Sequence, residues 1–250
     1  MSSNALLKAL HALETFQHSS GSLTVKEMSG VTGETESSVQ RSAYTLETLG
    51  YLEREEGGNR YVPGRSCLRP VYGYLRNNRF LETATPYLID LSERFETRAD
   101  LTVLDRADIV YLSRIPNKDE LLNLSPLGRR WPAVSTASGR AILAALPEIE
   151  RQNVLGASTY SRITPHTLND PQAVLDAIIQ AQVDGYAYQS EEVLMGAASV
   201  GSAVIGADGQ VHGAVILGGP VSVFEDIAQR RVLGEAVKQA TLAIGAYNLS

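Results

Sequence analysis

Apolar positions along the first 64 residues recur first with helical and then with strand spacing. Leu6, Leu7, Leu10, Leu13 and Phe16 share one face of a helix that Ser3-Asn4 can cap and that runs to about His18. Ser19-Ser20-Gly21 ends it, and a short helix follows from Val25 to Val31. Thr32-Gly33-Glu34 is a tight break with glycine where a positive φ is needed. Thr35 opens another helix, to about Leu49, which Gly50 closes. Val39, Ala43, Leu46 and Leu49 are its core-facing positions. Tyr51–Arg54 and Arg60–Pro63 then alternate, and Glu55-Glu56-Gly57-Gly58-Asn59 between them is a hairpin turn.

Residues 65–98 read as helical, interrupted near Pro70 and Pro86. Pro86 suits the first turn of a helix Pro86–Glu96 with Leu88, Leu91 and Phe95 on its apolar face. From residue 100 the period shortens. Leu101–Leu104 and Ile109–Leu112 flank a turn at Asp105–Asp108. Ser135–Leu146 and a segment capped by Asp170 read as helices, as does Glu225–Tyr247. Ala203–Ile205 and Val211–Leu217 flank Ala207-Asp208-Gly209-Gln210, and Asp-Gly is a strong hairpin signal. The pattern predicts an α+β chain with an antiparallel sheet in its larger part. The expected division is a first domain at 1–64, a linker helix at 65–79 and a second, larger domain at 80–250.

The short helix, the Gly33 break and the helix from Thr35 form a helix-turn-helix pattern, with the hairpin as a wing. Such a motif lays its second helix in the major groove of double-stranded DNA. Thr35, Ser37, Ser38, Gln40, Arg41 and Tyr44 are the groove-facing candidates. Gln pairs bidentately with adenine and Arg with guanine. Arg54 and Arg60 fall in the wing, near phosphate, beside the acidic Glu53, Glu55 and Glu56.

Charge agrees with this division. The net charge of −6 is uneven: residues 1–80 carry nine Lys/Arg and eight Asp/Glu, residues 81–250 thirteen and twenty. The first part is therefore free to approach phosphate. A single cysteine, Cys67, rules out an internal disulfide framework, and the N-terminal stretch lacks a signal-peptide core. No apolar run is long enough to span a membrane. A cytoplasmic protein without membrane attachment is expected.

Three blocks carry a family resemblance. SLTVKEMSGVTGETESSVQRSAYTLETLGYLEREEGGNRYVPG (22–64) resembles the winged helix-turn-helix of the IclR family of bacterial regulators. GRRWPAVSTASGRAILAAL (128–146) resembles that family's block leading into the helix of its effector pocket. GYAYQSEEVLMGAASVGSAVIGADGQVHGAVILGGP (185–220) resembles its signature region. The resemblance implies a GAF-like effector domain, a homodimer or homotetramer, and a regulator, taken as a repressor, on a pseudo-palindromic operator. By position it places the pocket on Ala137, Ser138, Gln189, Ser199, Ile216 and Gly218, with Gln189, Ile216 and Gly218 standing where relatives that bind small keto acids carry more polar groups. Gly139 amides add donors, and a lid is expected from Leu121–Trp131 and Gln189–Met195. Gly218 and Ile216 in place of larger groups are expected to open and enlarge an apolar face, and a less polar pocket of this kind fits an aromatic organic acid better than glyoxylate or pyruvate.

Other classes find less support. Adjacent Glu191 and Glu192 are expected to be structural, one capping backbone amides and the other meeting solvent or an arginine. There is no G-x-S-x-G and no Walker sequence, so no enzyme is expected. His166 and His212 stand apart, so neither metal nor cofactor is expected. A ligand-binding or interaction module without a DNA role is the remaining alternative.

Overall fold

Helix ends shape the first of two units into which the computed structural model divides, residues 1–78 and 79–250; residues 3–19, 21–117 and 127–249 are described. The order is α1 (Asn4–Glu14), β1 (Leu23–Thr24), α2 (Val25–Thr32), α3 (Glu36–Thr48), β2 (Leu52–Arg54) and β3 (Arg60–Pro63). Thr24 and Glu27 form a capping box at the start of α2: Glu27 N–H donates to Thr24 Oγ1 at 3.2 Å, and Thr24 N–H to Glu27 Oε2 at 2.7 Å. Gly33 ends α2 with φ +71°, which only glycine adopts cheaply. Thr35 then caps α3 by accepting from Ser38 N–H. Ala12, Met28, Val39, Ala43, Leu46, Leu52 and Tyr61 form the core against the antiparallel sheet β1-β3-β2. Each large apolar side chain buried there contributes roughly 1.5–3 kcal/mol. Leu49, expected in this core, is instead 57% exposed. It lies one position beyond α3, where helical spacing no longer points it inward.

The helix α4 (Leu68–Arg76) buries none of its own residues. Next comes α5 (Arg79–Phe95), and here expectation fails: Pro86 sits inside the helix, not at its start. Proline removes one intrahelical bond. The apolar face Phe80, Ala84, Leu88 and Leu91 nevertheless runs through it, and burial on both sides outweighs the local preference.

The second unit is built on one antiparallel sheet, six-stranded among the described residues, in the order β6-β5-β4-β9-β8-β7. Its strands are β4 (Arg98–Asp105), β5 (Asp108–Ile115), β6 (Arg130–Pro132), β7 (Ala187–Ser190), β8 (Ala197–Ile205) and β9 (Val211–Pro220). One face packs on α5 and α9 (Ile227–Gly245) through Leu101, Val200, Leu217, Leu233 and Val237. The other packs on α6 (Ala137–Ala145) and α8 (Pro171–Asp184) through Ile109, Ala214, Ile142 and Ile178. The helix α7 (Glu148–Ala157) lies between α6 and α8 in sequence and buries no residue fully. The α+β class and the antiparallel sheet are as the sequence predicts.

Helix α6 approaches its preceding turn so closely that a Cβ on Gly139 would lie 2.1 Å from the Ala133 carbonyl oxygen. We predict that Gly139→Ala lowers the stability of the second unit by about 3 kcal/mol, since backbone must shift to admit the methyl group. Urea unfolding followed in that unit checks it, and a change under about 0.5 kcal/mol, the size of an ordinary surface substitution, contradicts the packing described.

Candidate functional site

Two regions carry candidate function, one in each unit. On α3 the residues Ser37, Gln40, Arg41, Tyr44 and Thr48 are exposed, and Thr35 is exposed at its N-cap. They recur at helical spacing opposite Val39, Ala43 and Leu46, so one face meets the core and the other meets solvent. Ser38 is a correction. It is 6% exposed, and its Oγ accepts from Lys8 Nζ of α1, so it faces inward. The wing arginines are occupied within the unit. Arg54 pairs with Glu47 at 3.1 Å and bonds the Tyr61 hydroxyl; Arg60 pairs with Glu27 at 3.1 Å and donates to Ser22. Both side chains are therefore paired within the unit.

In the second unit the sheet register creates a polar row. Arg98 of β4 pairs with Gly218 of β9, Gly218 with Ser199 of β8, and Ser199 with Gln189 of β7. Residues paired in this way across a sheet share one face. Above the row lies the N-terminus of α6, and between them is a cavity of about 120 Å³. Trp131, Ala137, Ser138, Gln189, Ser199 and Ile216 line it, as the sequence proposes. Arg129, Val193 and Leu194, which fall within the expected lid segments, line it too, as do Arg98, Asp100, Tyr111 and Arg114, which the sequence reading missed. The missed signal is the alternation Arg98, Asp100, Thr102 against Ala99, Leu101, Val103, which marks a strand with a polar inner face.

Charge dominates this cavity. Asp100, 1% exposed, accepts two bonds from Arg114, at 2.6 and 3.0 Å, and Arg98 Nε stands 3.5 Å from it. Arg129 lies over the Trp131 ring at 4.5 Å. Burial first, and the negative Asp100 second, push the Tyr111 phenol up to about 12, so it stays protonated as a hydrogen-bond donor.

Several expected lining residues fall elsewhere. A Cβ on Gly218 would lie 2.9 Å from the Arg98 guanidinium, so the glycine makes room for arginine and does not enlarge an apolar face. Gly139 is buried without lining the cavity, and its N–H is taken by Thr136 Oγ1 at 3.0 Å. Met195 follows the lining Val193 and Leu194 but points to solvent, 52% exposed. Leu121 lies outside the described residues. The cavity is thus more charged than the sequence predicts.

Behind the cavity stands a second buried pair. Arg140 donates to both oxygens of Glu192 at 2.6 Å, with side chains 1% and 6% exposed. Glu191, with φ +58°, accepts from Gly196 N–H at 2.7 Å. The adjacent carboxylates therefore divide their work as expected: one holds a backbone amide and the other an arginine. Among the described residues no three His, Cys, Asp or Glu side chains are grouped to hold a metal, and no helix is long and apolar enough to cross a membrane.

A winged helix-turn-helix with a solvent-facing second helix, followed by an α+β unit enclosing a small charged cavity, defines a transcriptional regulator with DNA-binding and effector parts. Residues 5–56 match the IclR helix-turn-helix domain and residues 72–246 the bacterial transcriptional regulator IclR C-terminal family. The chain belongs to the IclR family of transcriptional regulators, which is not a family of enzymes. It is 28% identical to the HTH-type transcriptional regulator XynR of Escherichia coli K12, over 95% of this chain and 94% of that protein. It is also 28% identical to the Pca regulon regulatory protein of Pseudomonas putida, over 84% of this chain and 72% of that one. The fold matches an IclR homologue of Microbacterium hydrocarbonoxydans complexed with 4-hydroxybenzoate, with a TM-score of 0.76, 22% identity and coverage of 97% and 98% of the two chains.

The Arg140–Glu192 pair yields a prediction. Arg140→Met alone leaves a carboxylate buried without its cation and should cost about 3–5 kcal/mol. Adding Glu192→Leu removes that charge and should restore most of the loss. Thermal unfolding of both variants decides; a double variant no more stable than the single one contradicts it.

Proposed function

We propose that the chain is a repressor that grips a pseudo-palindromic operator through α3 and loosens or tightens that grip when a small organic acid binds in the cavity. The observation that carries the effector half is the row Arg98, Gly218, Ser199, Gln189 lying under the N-terminus of α6. A guanidinium, hydroxyls and the first-turn amides of a helix converge there, and each favours a carboxylate. The cavity of about 120 Å³ equals roughly four waters at ~30 Å³ each. It admits one small acid with at most one ring. Tyr111 and Trp131 offer ring faces, which favours an aromatic acid. The names of two relatives point the same way: a Pca regulon regulator, and a homologue holding 4-hydroxybenzoate.

On the DNA side, Ser37, Gln40, Arg41 and Tyr44 are assigned to the major groove and Thr35 to phosphate. One such helix reads too few bases for strong selectivity, so two copies are required. Leu6 and Leu10 of α1 are 60% and 46% exposed and border a cleft of about 920 Å³ along α1 and α3, a face suited to a second copy. Ala9 and Leu13 pack against their own core and border the same cleft. The exposed α4 is assigned as the linker. A dimer seated on promoter DNA excludes other proteins from it, which favours repression as the sign.

Fluorescence anisotropy on a labelled duplex from the chain's own upstream region tests this. Binding should be selective and salt-sensitive, and Arg41→Ala should cost about 1–3 kcal/mol if Arg41 reads a base. Adding 4-hydroxybenzoate should change the affinity by about 5–150-fold. No selective binding at micromolar protein would overturn the DNA reading, and wild-type affinity for Arg41→Ala would remove Arg41 from the interface.

A further inference from the structure

The buried Arg140–Glu192 pair joins two walls of the cavity that are 52 positions apart in the chain. Thr136, Ala137 and Ser138 line one wall, and Arg140 follows on the same helix without touching the cavity. Gln189, Val193 and Leu194 line the other, and Glu192 sits among them, also without lining it. Further bonds fix the pair itself. Arg140 Nε donates to the Val134 carbonyl at 2.8 Å, and Glu192 Oε2 accepts from Leu168 N–H at 2.9 Å. Thr164 and Thr167 hydroxyls brace the same segment through the carbonyls of Glu191 and Glu192, at 2.6 and 2.7 Å.

From Glu192 the bonds run into the cavity. Its N–H donates to Gln189 Oε1 at 3.1 Å, and Gln189 Nε2 donates to Ser199 Oγ at 3.0 Å. The orientation of the Gln189 amide is thereby set by where Glu192 is held. A buried ion pair is a poor device for stability, because apolar replacement is often neutral or better. What an apolar pair lacks is direction: two parallel bonds from a planar guanidinium fix both distance and rotation.

We propose that Arg140 and Glu192 are positioning residues for the effector. They clamp the segment 191–196 as a cavity wall and, through the Glu192 amide, aim the Gln189 side chain at the ligand. The proposal rests on the cavity being the effector site.

The test uses the full chain carrying Arg140→Met with Glu192→Leu. Amide hydrogen exchange without ligand should speed up at least tenfold across residues 187–197, while α9 and β4 keep their wild-type rates. Unchanged exchange in that segment overturns the clamp, and so does faster exchange everywhere. Calorimetry with 4-hydroxybenzoate, at a temperature where the double variant is still fully folded, should show binding at least tenfold weaker. Gln189→Ala should weaken binding in the wild-type chain but add little in the double variant, since the two changes share one network. Additive effects overturn the link to Gln189. Should the wild-type chain bind neither 4-hydroxybenzoate nor pyruvate, the effector reading fails while exchange still decides the clamp.

Discussion

A guanidinium and a carboxylate taken out of water together must recover several kcal/mol of lost hydration per ion. In the second unit Arg140 and Glu192 do so with two bonds of 2.6 Å and with backbone partners on either side. The helix that starts at Ala137 and the segment that ends at Gly196 come from distant parts of the chain. This pair ties them to each other directly. The cavity depends on that tie, because one of its walls is an irregular loop without the ladder bonds of the sheet.

The second determinant is what faces the enclosed space. Glycine at 218 leaves room across the sheet for the Arg98 guanidinium, which a larger residue there would displace. Asp100, held by Arg114, sets a carboxylate beside the cations, and burial first, with that carboxylate second, keeps the Tyr111 phenol neutral. The result is a small space with charge, hydroxyls and ring faces at fixed positions. On the proposed reading, recognition there rests on placed charge-assisted hydrogen bonds more than on apolar area.

The sequence made the first unit largely legible, because its signals are local. Thr24 with Glu27, Gly33 and Thr35 announce helix ends within a few residues of where they act. Ser38 was misplaced because spacing along α3 cannot show that Lys8 of α1 lies over it. In the second unit the strands flanking Arg106-Ala107 and Asp208-Gly209 were readable from their turns. The charged lining was not. Arg98, Asp100 and Arg114 acquire meaning only when β4, β5 and β9 are set in register. Pro86 misled for the opposite reason: a strong local rule yielded to a long buried face. Position-based transfer found Ser138, Gln189, Ser199 and Ile216, yet read Gly218 as open space that Arg98 in fact occupies.

The central claim is that the space under α6 holds one small organic acid. Calorimetric titration with 4-hydroxybenzoate, on the wild-type chain and on Ile216→Trp, tests it most directly, since Ile216 lines the cavity and an indole there fills it. One molecule should bind per wild-type chain and none per variant chain, with the variant unfolding at close to the wild-type temperature. Equal heats and equal stoichiometry in the two proteins would place the acid elsewhere and contradict it.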